Sequence, residues 1–600
     1  MYPIRSLRLL CLALLTVSVS RAVTYDVGLP AAPLQKLADV PWGDLQPGDI
    51  VNIHAKPGGY HEIIQISASG TAAHPILIRG IPDAAGNLPV IDGDGAVMDP
   101  KINFRNPVFE NLGVIVITPR ASGYVYGKTF PSYLTIESLA IRNALYDPTG
   151  GIHFTDQKGA TRTYHTFACG IYVEFAHHLI VRGCEISFNG NGLFANSKNG
   201  AAQASADLLI EKNYFHDNGQ PTIPGLTNGY GEHHIYVESV GAVYQYNRFG
   251  PLRPACHGVM IKDRSSGTVI RHNSVVTTES SEVFAILDPQ GGAGYIDQIP
   301  DYRDAFVYGN VITLQSSAGS AAGNGVMWFG AINGAKSYAQ QYRGTLYFYH
   351  NTVVNHRKAT SVFFLPDANY VGNTAIQEKV DARNNVFYSD SAINANLYQA
   401  MFIVQSTASP TIDLGMNWIS PGIRRDWYGH PTGAIVNGWS NLIVGDFAGQ
   451  NSPGFASLAA LDYQLTSGSD SIDAAGPLAP AALAKGYTVD VSYLAHRASV
   501  ARPVLGVRAD LGPSRPAPCM CSRPPTAHRS RSPRRSTSPA PRPSRSPSPL
   551  TIPTATRSPT PALPQASSAR SLARLQISPT HLPPPATAPS SSATTPTMAW

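Results

Sequence analysis

An amine, guanidinium groups, imidazoles, phenols and carboxyls crowd into residues 231–267, which read GEHHIYVESVGAVYQYNRFGPLRPACHGVMIKDRSSG. Two segments of like form stand out, HHIYVES (233–239) and HGVMIKD (257–263). Laid over each other, they set His233 on His257, Tyr236 on Met260, Glu238 on Lys262 and Ser239 on Asp263. Strand side chains alternate faces, so Ile235, Val237, Val259 and Ile261 turn one way and Tyr236, Glu238, Met260 and Lys262 the other. Stacked as parallel strands, Glu238 and Lys262 are expected about 4.8 Å apart. Such a set is suited to proton transfer. A lysine acts as a base only when desolvation or a positive neighbour lowers its pKa, and Arg264 and the histidines are the neighbours at hand. Tyr236, His233 and His257 are candidate acids.

An outward Glu–Lys pair on a solvated surface is ordinarily a salt bridge worth little. Three features point further here. Aromatics flank the pair and suit stacking on sugar rings. Two histidines share a column beside it. The long loops His216–Glu232 and Pro289–Asp304 leave the chain next to these strands and are expected to wall a cleft.

The elements that must hold this set are repeats. From about Val23 to Leu511 one unit recurs, a few strand residues followed by a turn residue that is most often Asn. Examples are LLIEKNYF (Asn213), AVYQYNRF (Asn247), TVIRHNSV (Asn273), AFVYGNVI (Asn310), LYFYHNTV (Asn351), VDARNNVF (Asn385) and IDLGMNWI (Asn417), with Leu139 and Cys184 at the turn in earlier copies. Asn tolerates the left-handed backbone a tight bend needs, and such residues stacked coil upon coil form an internal ladder. A second strand set interleaves: GIYVE (170–174), GLFAN (192–196), HIYVE (234–238), GVMIK (258–262), VFAIL (283–287) and VMWFG (326–330). Its inward columns are Ile171, Leu193, Ile235, Val259, Phe284, Val326 and Val173, Ala195, Val237, Ile261, Ile286, Trp328. Its outward columns are Tyr172, Phe194, Tyr236, Met260, Ala285, Met327 and Glu174, Asn196, Glu238, Lys262, Leu287, Phe329. Alternating sets of this kind predict a solenoid with several parallel strands per turn.

At the N-terminus, Arg5 and Arg8 precede the apolar run Leu9–Leu15, and Ser20-Arg21-Ala22 offers a cleavage site, so residues 1–22 read as a signal peptide of a secreted or periplasmic protein. No stretch is long and apolar enough to span a membrane. Of six cysteines only Cys169, Cys184 and Cys256 fall in the body, too few for a disulfide scaffold, although a Cys169–Cys184 bridge is compatible with their spacing. The formal charge of +6 misleads. Eleven arginines lie beyond Gly512 and three within residues 1–22, which leaves −8 for the body and no basic surface for nucleic acid. Residues 512–600, rich in Pro, Ser, Thr, Arg and Ala, read as a disordered tail.

The opening GDLQPGDIVNIHAKPGGYHEIIQISASGTAAHPILIRG (43–80) and the closing LDYQLTSGSDSIDAAG (461–476) resemble the first coils and the last segment of secreted right-handed parallel β-helix proteins of the pectate lyase-like group. The resemblance implies an all-β solenoid over residues 23–511. IKDRSSGTVIRHN (261–273) is similar to the segment that carries the base lysine in alginate and chondroitin lyases, with Lys262 at that lysine. The strand that supplies the group's arginine reads FAILD (284–288) and has none, which leaves Arg264 as the substitute. The implied activity is β-elimination on an acidic, uronic-acid-containing polysaccharide by a monomer. Lys262, Arg264, His233, His257 and Tyr236 are then the catalytic candidates, and Glu238, His234, Tyr172, Asp263 and Asp288 the substrate-binding ones. A glycoside hydrolase pairing Glu238 with Asp263 or Asp288 is the alternative. A non-catalytic carbohydrate-binding or adhesion protein is the third reading. Glu174, Glu238, Asp263 and Asp288 carry the oxygen chemistry that Ca²⁺ prefers, although no compact calcium loop is present.

Overall fold

Most strands of this chain pair with what comes one coil later, not with their sequence neighbours. Among the described residues of the computed structural model most strands form three sheets of 13, 14 and 11 strands, parallel and ordered by sequence except at the start of the second. Two small antiparallel pairs, Phe455–Ser457 with Asp462–Leu465 and Val491–Leu494 with Ala498–Ala501, lie outside them. One coil shows the pattern. Ser239–Gln245 lies in the first sheet, Arg248–Phe249 in the third and Ile261–Asp263 in the second. Ser266–Arg271 then returns to pair in parallel with Ser239–Gln245. The result is the parallel β-helix that the repeats predict. The described residues lie within 21–513, with gaps at 122–129, 222–231, 279–281, 316–324, 333–336, 366–376, 390–397, 405–409, 427–433, 446–452 and 495–497 and at positions 105, 199, 358 and 503. The expected signal peptide and nearly all of the expected tail fall outside them.

Apolar columns fill the solenoid. In the second sheet Ile171, Leu193, Ile235, Ile261, Phe284 and Met327 stack in register and all are buried. β-Branched and aromatic residues suit such a pleated, buried wall.

The asparagine ladder runs unbroken. Each carboxamide Nδ2 donates to the Oδ1 of the next, from Asn213 to Asn247 (3.1 Å), Asn273 (3.1 Å), Asn310 (3.0 Å), Asn351 (2.9 Å), Asn385 (3.2 Å) and Asn417 (2.9 Å). Each Oδ1 also accepts the backbone N–H of the preceding ladder residue, as Asn247 does from Asn213 at 3.0 Å. The left-handed residue is not the ladder asparagine, as expected, but the one before it: Lys212, Tyr246, His272, Gly309, His350 and Asn384 all have positive φ. The bend is made one residue early, which turns the amide into the interior.

Cys169, Cys184 and Cys256 are all buried and none is in a disulfide, so the bridge compatible with their spacing is not formed. Cys184 occupies a ladder turn in the core, whereas Cys169 belongs to an aromatic cluster outside the second sheet. Late in the chain, Leu478, Ala481, Ala482, Tyr487 and Val489 cover an apolar patch of Val269, Phe306, Tyr308 and Tyr349. Among the described residues no helix is long and apolar enough to cross a membrane.

Candidate active site

The site forms on the outer face of the second sheet, where two adjacent strands meet in a register the sequence overlay missed. Ile235 pairs with Ile261, Tyr236 with Lys262 and Val237 with Asp263. The overlay is therefore off by two residues. Tyr236, not Glu238, is the lateral neighbour of Lys262, and Val259 and Met260 leave the columns assigned to them. A slip of two keeps the alternation within the paired strands, so the apolar pattern cannot detect it. Just before Ile261, however, the alternation breaks: Val259, assigned inward, packs outside with Ala285 and Trp328, and Met260, assigned outward, lies in the core. A further slip of one occurs at Gly325–Gly330, where Met327 follows Phe284 inward and Trp328 follows Ala285 outward. That strand is almost wholly apolar, so either face accepts either parity.

The outer column now reads Tyr172, Phe194, Tyr236, Lys262, Ala285, Trp328. Its two ends are apolar. Phe109, Leu112 and Val116 pack on Tyr172 before the site, and Val259, Leu287 and Phe364 pack with Ala285 and Trp328 after it. Tyr236 and Lys262 occupy the polar interval between them, and this setting desolvates the amine.

Tyr236 is the hub. Arg264 Nε donates to its hydroxyl at 2.9 Å, and the hydroxyl donates to Gln290 Oε1 at 2.7 Å. Lys262 Nζ lies 4.7 Å from the centre of its ring, and the ring of His233 meets it edge-on at 5.6 Å. The Lys262 amine has no hydrogen bond or ion pair among the described residues. Burial first, then the Arg264 cation, push its pKa down to about 7, against the pull of Glu282, Glu232 and Asp288. Burial raises the Tyr236 phenol, with Arg264 opposing, so the group stays an O–H donor.

His233 has a defined tautomer. Its Nδ1 accepts the Val259 backbone N–H at 2.9 Å, which places the ring proton on Nε2. Burial and the cations Lys262 and Arg264 hold it neutral. Its Nε2 is buried and meets no acceptor. Arg264 is only 3% exposed. Its Nη1 donates to the Asp288 carbonyl, and the Asp288 carboxylate lies 3.9 Å away. The guanidinium thus serves Tyr236 and Asp288 from beneath the surface rather than standing out toward a substrate.

Several substrate-binding candidates are also placed elsewhere. Asp263 continues the inward Val237 column and is fully buried. Its carboxylate accepts from Tyr244 Oη and Thr268 Oγ1, both at 2.6 Å, and from the Ser265 N–H at 2.9 Å. His234 also turns inward, with Nδ1 against Asn218 and Nε2 against the Gly250 carbonyl, each at 3.0 Å, and burial brings its pKa to about 4. It extends a second, shorter ladder of Asn189 and Asn218. Tyr172 is stacked on Phe194 at 5.6 Å and covered by Phe109. Asp288 is fully buried, accepts the Ile332 N–H at 2.7 Å and acts on the site through Arg264. His257 is half-buried in the segment before Ile261 and, under the observed register, does not share a column with His233.

Glu238 is held by a loop rather than offered to solvent. Its carboxylate accepts the N–H groups of Gln290 (2.9 Å), Gly291 (3.0 Å) and Gly292 (2.6 Å). With Asp263 inside and Glu238 so engaged, the carboxyl pair of a glycosidase does not assemble. Nor do Glu174, Glu238, Asp263 and Asp288 share one face, so they do not fit a calcium site, and no metal-ligating cluster occurs among the described residues. Gln290 is the site residue that the sequence did not mark. Its only signal was its place in the long loop after FAILD. That loop does flank the site, while residues 222–231 of the loop expected opposite lie outside the described residues.

No family model matches the chain, and no curated protein matches it. Among solved structures it is similar to an alginate lyase from Paenibacillus sp. str. FPU-7, with 15% identity over 70% of this chain and 99% of that one at a TM-score of 0.27. It is also similar to a mannuronic acid specific polysaccharide family 6 lyase from human gut microbiota, with 14% identity, 69% and 83% coverage and a TM-score of 0.41. A GH136 lacto-N-biosidase from Eubacterium ramulus aligns at 11% identity, 70% and 68% coverage and a TM-score of 0.37. At these identities and scores the likenesses carry no argument about activity or substrate.

Proposed function

We propose that the chain is a polysaccharide lyase that cleaves a uronic-acid-containing polymer by β-elimination. One observation carries the reading: an amine lowered to a pKa of about 7 stands beside a phenol that a buried guanidinium already holds. Near neutral pH Lys262 is a ready base and takes the proton from C5 of the uronate. The C5–H electrons form the C4–C5 double bond, and the C4–O bond breaks. Tyr236 turns its hydroxyl from Gln290 to protonate the departing glycosidic oxygen. Arg264 Nε–H stabilises the phenolate that results. The substrate carboxylate, whose charge must be relieved before C5 acidifies, meets the positive field of Arg264 from beneath, while the buried, neutral His233 stands edge-on to the Tyr236 ring. Nothing here needs the hydrolase's second carboxyl.

The test is absorbance of an unsaturated uronate in the ultraviolet, measured across a panel of polyuronates. New absorbance that disappears in Lys262→Ala supports the reading. New reducing ends without absorbance would instead make the protein a hydrolase, and retention on the polymer with neither would make it a binder.

A further inference from the structure

The three N–H bonds to Glu238 span two coils. Glu238 follows the strand Ile235–Val237, whereas Gln290, Gly291 and Gly292 follow Glu282–Leu287, with the strand bearing Lys262 in between. The first residues of the 289–304 loop thus reach back past the Lys262 strand to Glu238, and the buried Arg264 is bonded on either side, to Tyr236 and to the Asp288 carbonyl just before the loop. The same loop residues deliver Gln290 Oε1 to the Tyr236 hydroxyl. Three donors on one carboxylate are more than a surface contact supplies, and charged acceptors make the stronger hydrogen bonds. The seat is also closely fitted at Gly292, where a Cβ would stand 3.0 Å from Glu238 Oε1 and 2.6 Å from Ile296 Cδ1.

We infer that Glu238 is a positioning residue: it seats the 289–304 loop, and through Gln290 the seated loop fixes the direction of the Tyr236 hydroxyl. The seating half stands on geometry alone. The positioning half rests on the lyase reading, in which Tyr236 must swing from Gln290 to the leaving oxygen.

Two measurements separate them. Chymotrypsin cleavage after Tyr295, followed by mass spectrometry of the fragment starting at Ile296, reports the seat without reference to activity. Glu238→Ala should be cut at least tenfold faster there than the wild type. Gly292→Val, which presses on the seat from the loop side and leaves the strand intact, should do the same if Glu238→Ala does not fold. Cleavage as slow as wild type in these variants overturns the seat. Gln290→Met keeps the length and removes the acceptor. It should lower kcat at least tenfold with KM within about twofold, while Gln290→Glu, which still accepts from the phenol, should recover most of kcat. Wild-type kcat in Gln290→Met overturns the positioning role. If the wild type turns over no polyuronate, the lyase reading and with it the positioning role fall, and the cleavage rates alone decide the seat.

Discussion

Lys262 and Arg264 are two residues apart on one outward parity, and their like charges explain each other's use. A cation beside an ammonium disfavours the protonated amine, so Arg264 adds to what burial does and lowers the Lys262 pKa. A base must be unprotonated, so activity should rise with pH through about 7. Removing the neighbouring cation lets the pKa climb, and the acid limb must then move to higher pH. For Arg264→Met we expect that limb to shift up by about one unit, the order given by Coulomb repulsion between partly buried charges. The plateau should also fall, because Tyr236 loses its donor. A plateau loss with an unmoved limb would show that burial alone tunes the amine. The residue types of this site were legible in the sequence, and so was the pairing of these two strands. The partner of Lys262 was not, because a slip of two leaves the apolar pattern unchanged. The roles of His233 and His234 also escaped alternation, since the strand begins only at Ile235 and the backbone before it turns.

At the scale of the element, the ladder is what stacks these coils at fixed height. Asparagine at the turn was legible because its amide is both donor and acceptor and can bond a copy of itself. The left-handed residue was misplaced by one, because Lys, Tyr and His give no sign that they accept positive φ. They adopt it where the buried amide network over-determines the backbone. Asn273 shows the strength of that network. It accepts from the Asn247 N–H at 2.9 Å and its Nδ2 at 3.1 Å, and it donates to the carbonyls of Tyr244 and Arg271 and to Asn310. Asn273→Ala orphans two buried donors on Asn247 at once. We expect a loss of about 2–4 kcal/mol in urea unfolding, well above a surface substitution. This rung is one coil from Lys262, so the same variant should lower activity in step with stability at 37 °C and regain it on cooling. A loss below about 0.5 kcal/mol would mean that water replaces the amide.

Across the whole chain, charge is divided unevenly. The body of residues 23–511 carries a formal −8, and eleven arginines lie beyond Gly512. A polyuronate approaching the body meets like charge, and the site's cations are too deeply set to act at range. Arg264 is buried, and Lys262 is half-neutral near pH 7. On the proposed substrate, we therefore predict that the arginines beyond Gly512 draw polymer toward the protein through their charge. Such attraction is screened within a Debye length, about 30 Å at 0.01 M salt and well under 10 Å at 0.5 M. A chain ending at residue 513 should keep its kcat, because every residue of the site lies before that point. Its KM for a polyuronate should exceed that of the full chain severalfold in about 0.01 M salt, and the two should converge by about 0.5 M. A KM difference that survives high salt would mean that the segment holds substrate by contacts other than charge. Equal KM values at low salt would leave the encounter to the Tyr236–Lys262 face alone, with local hydrogen bonds rather than steering setting the affinity.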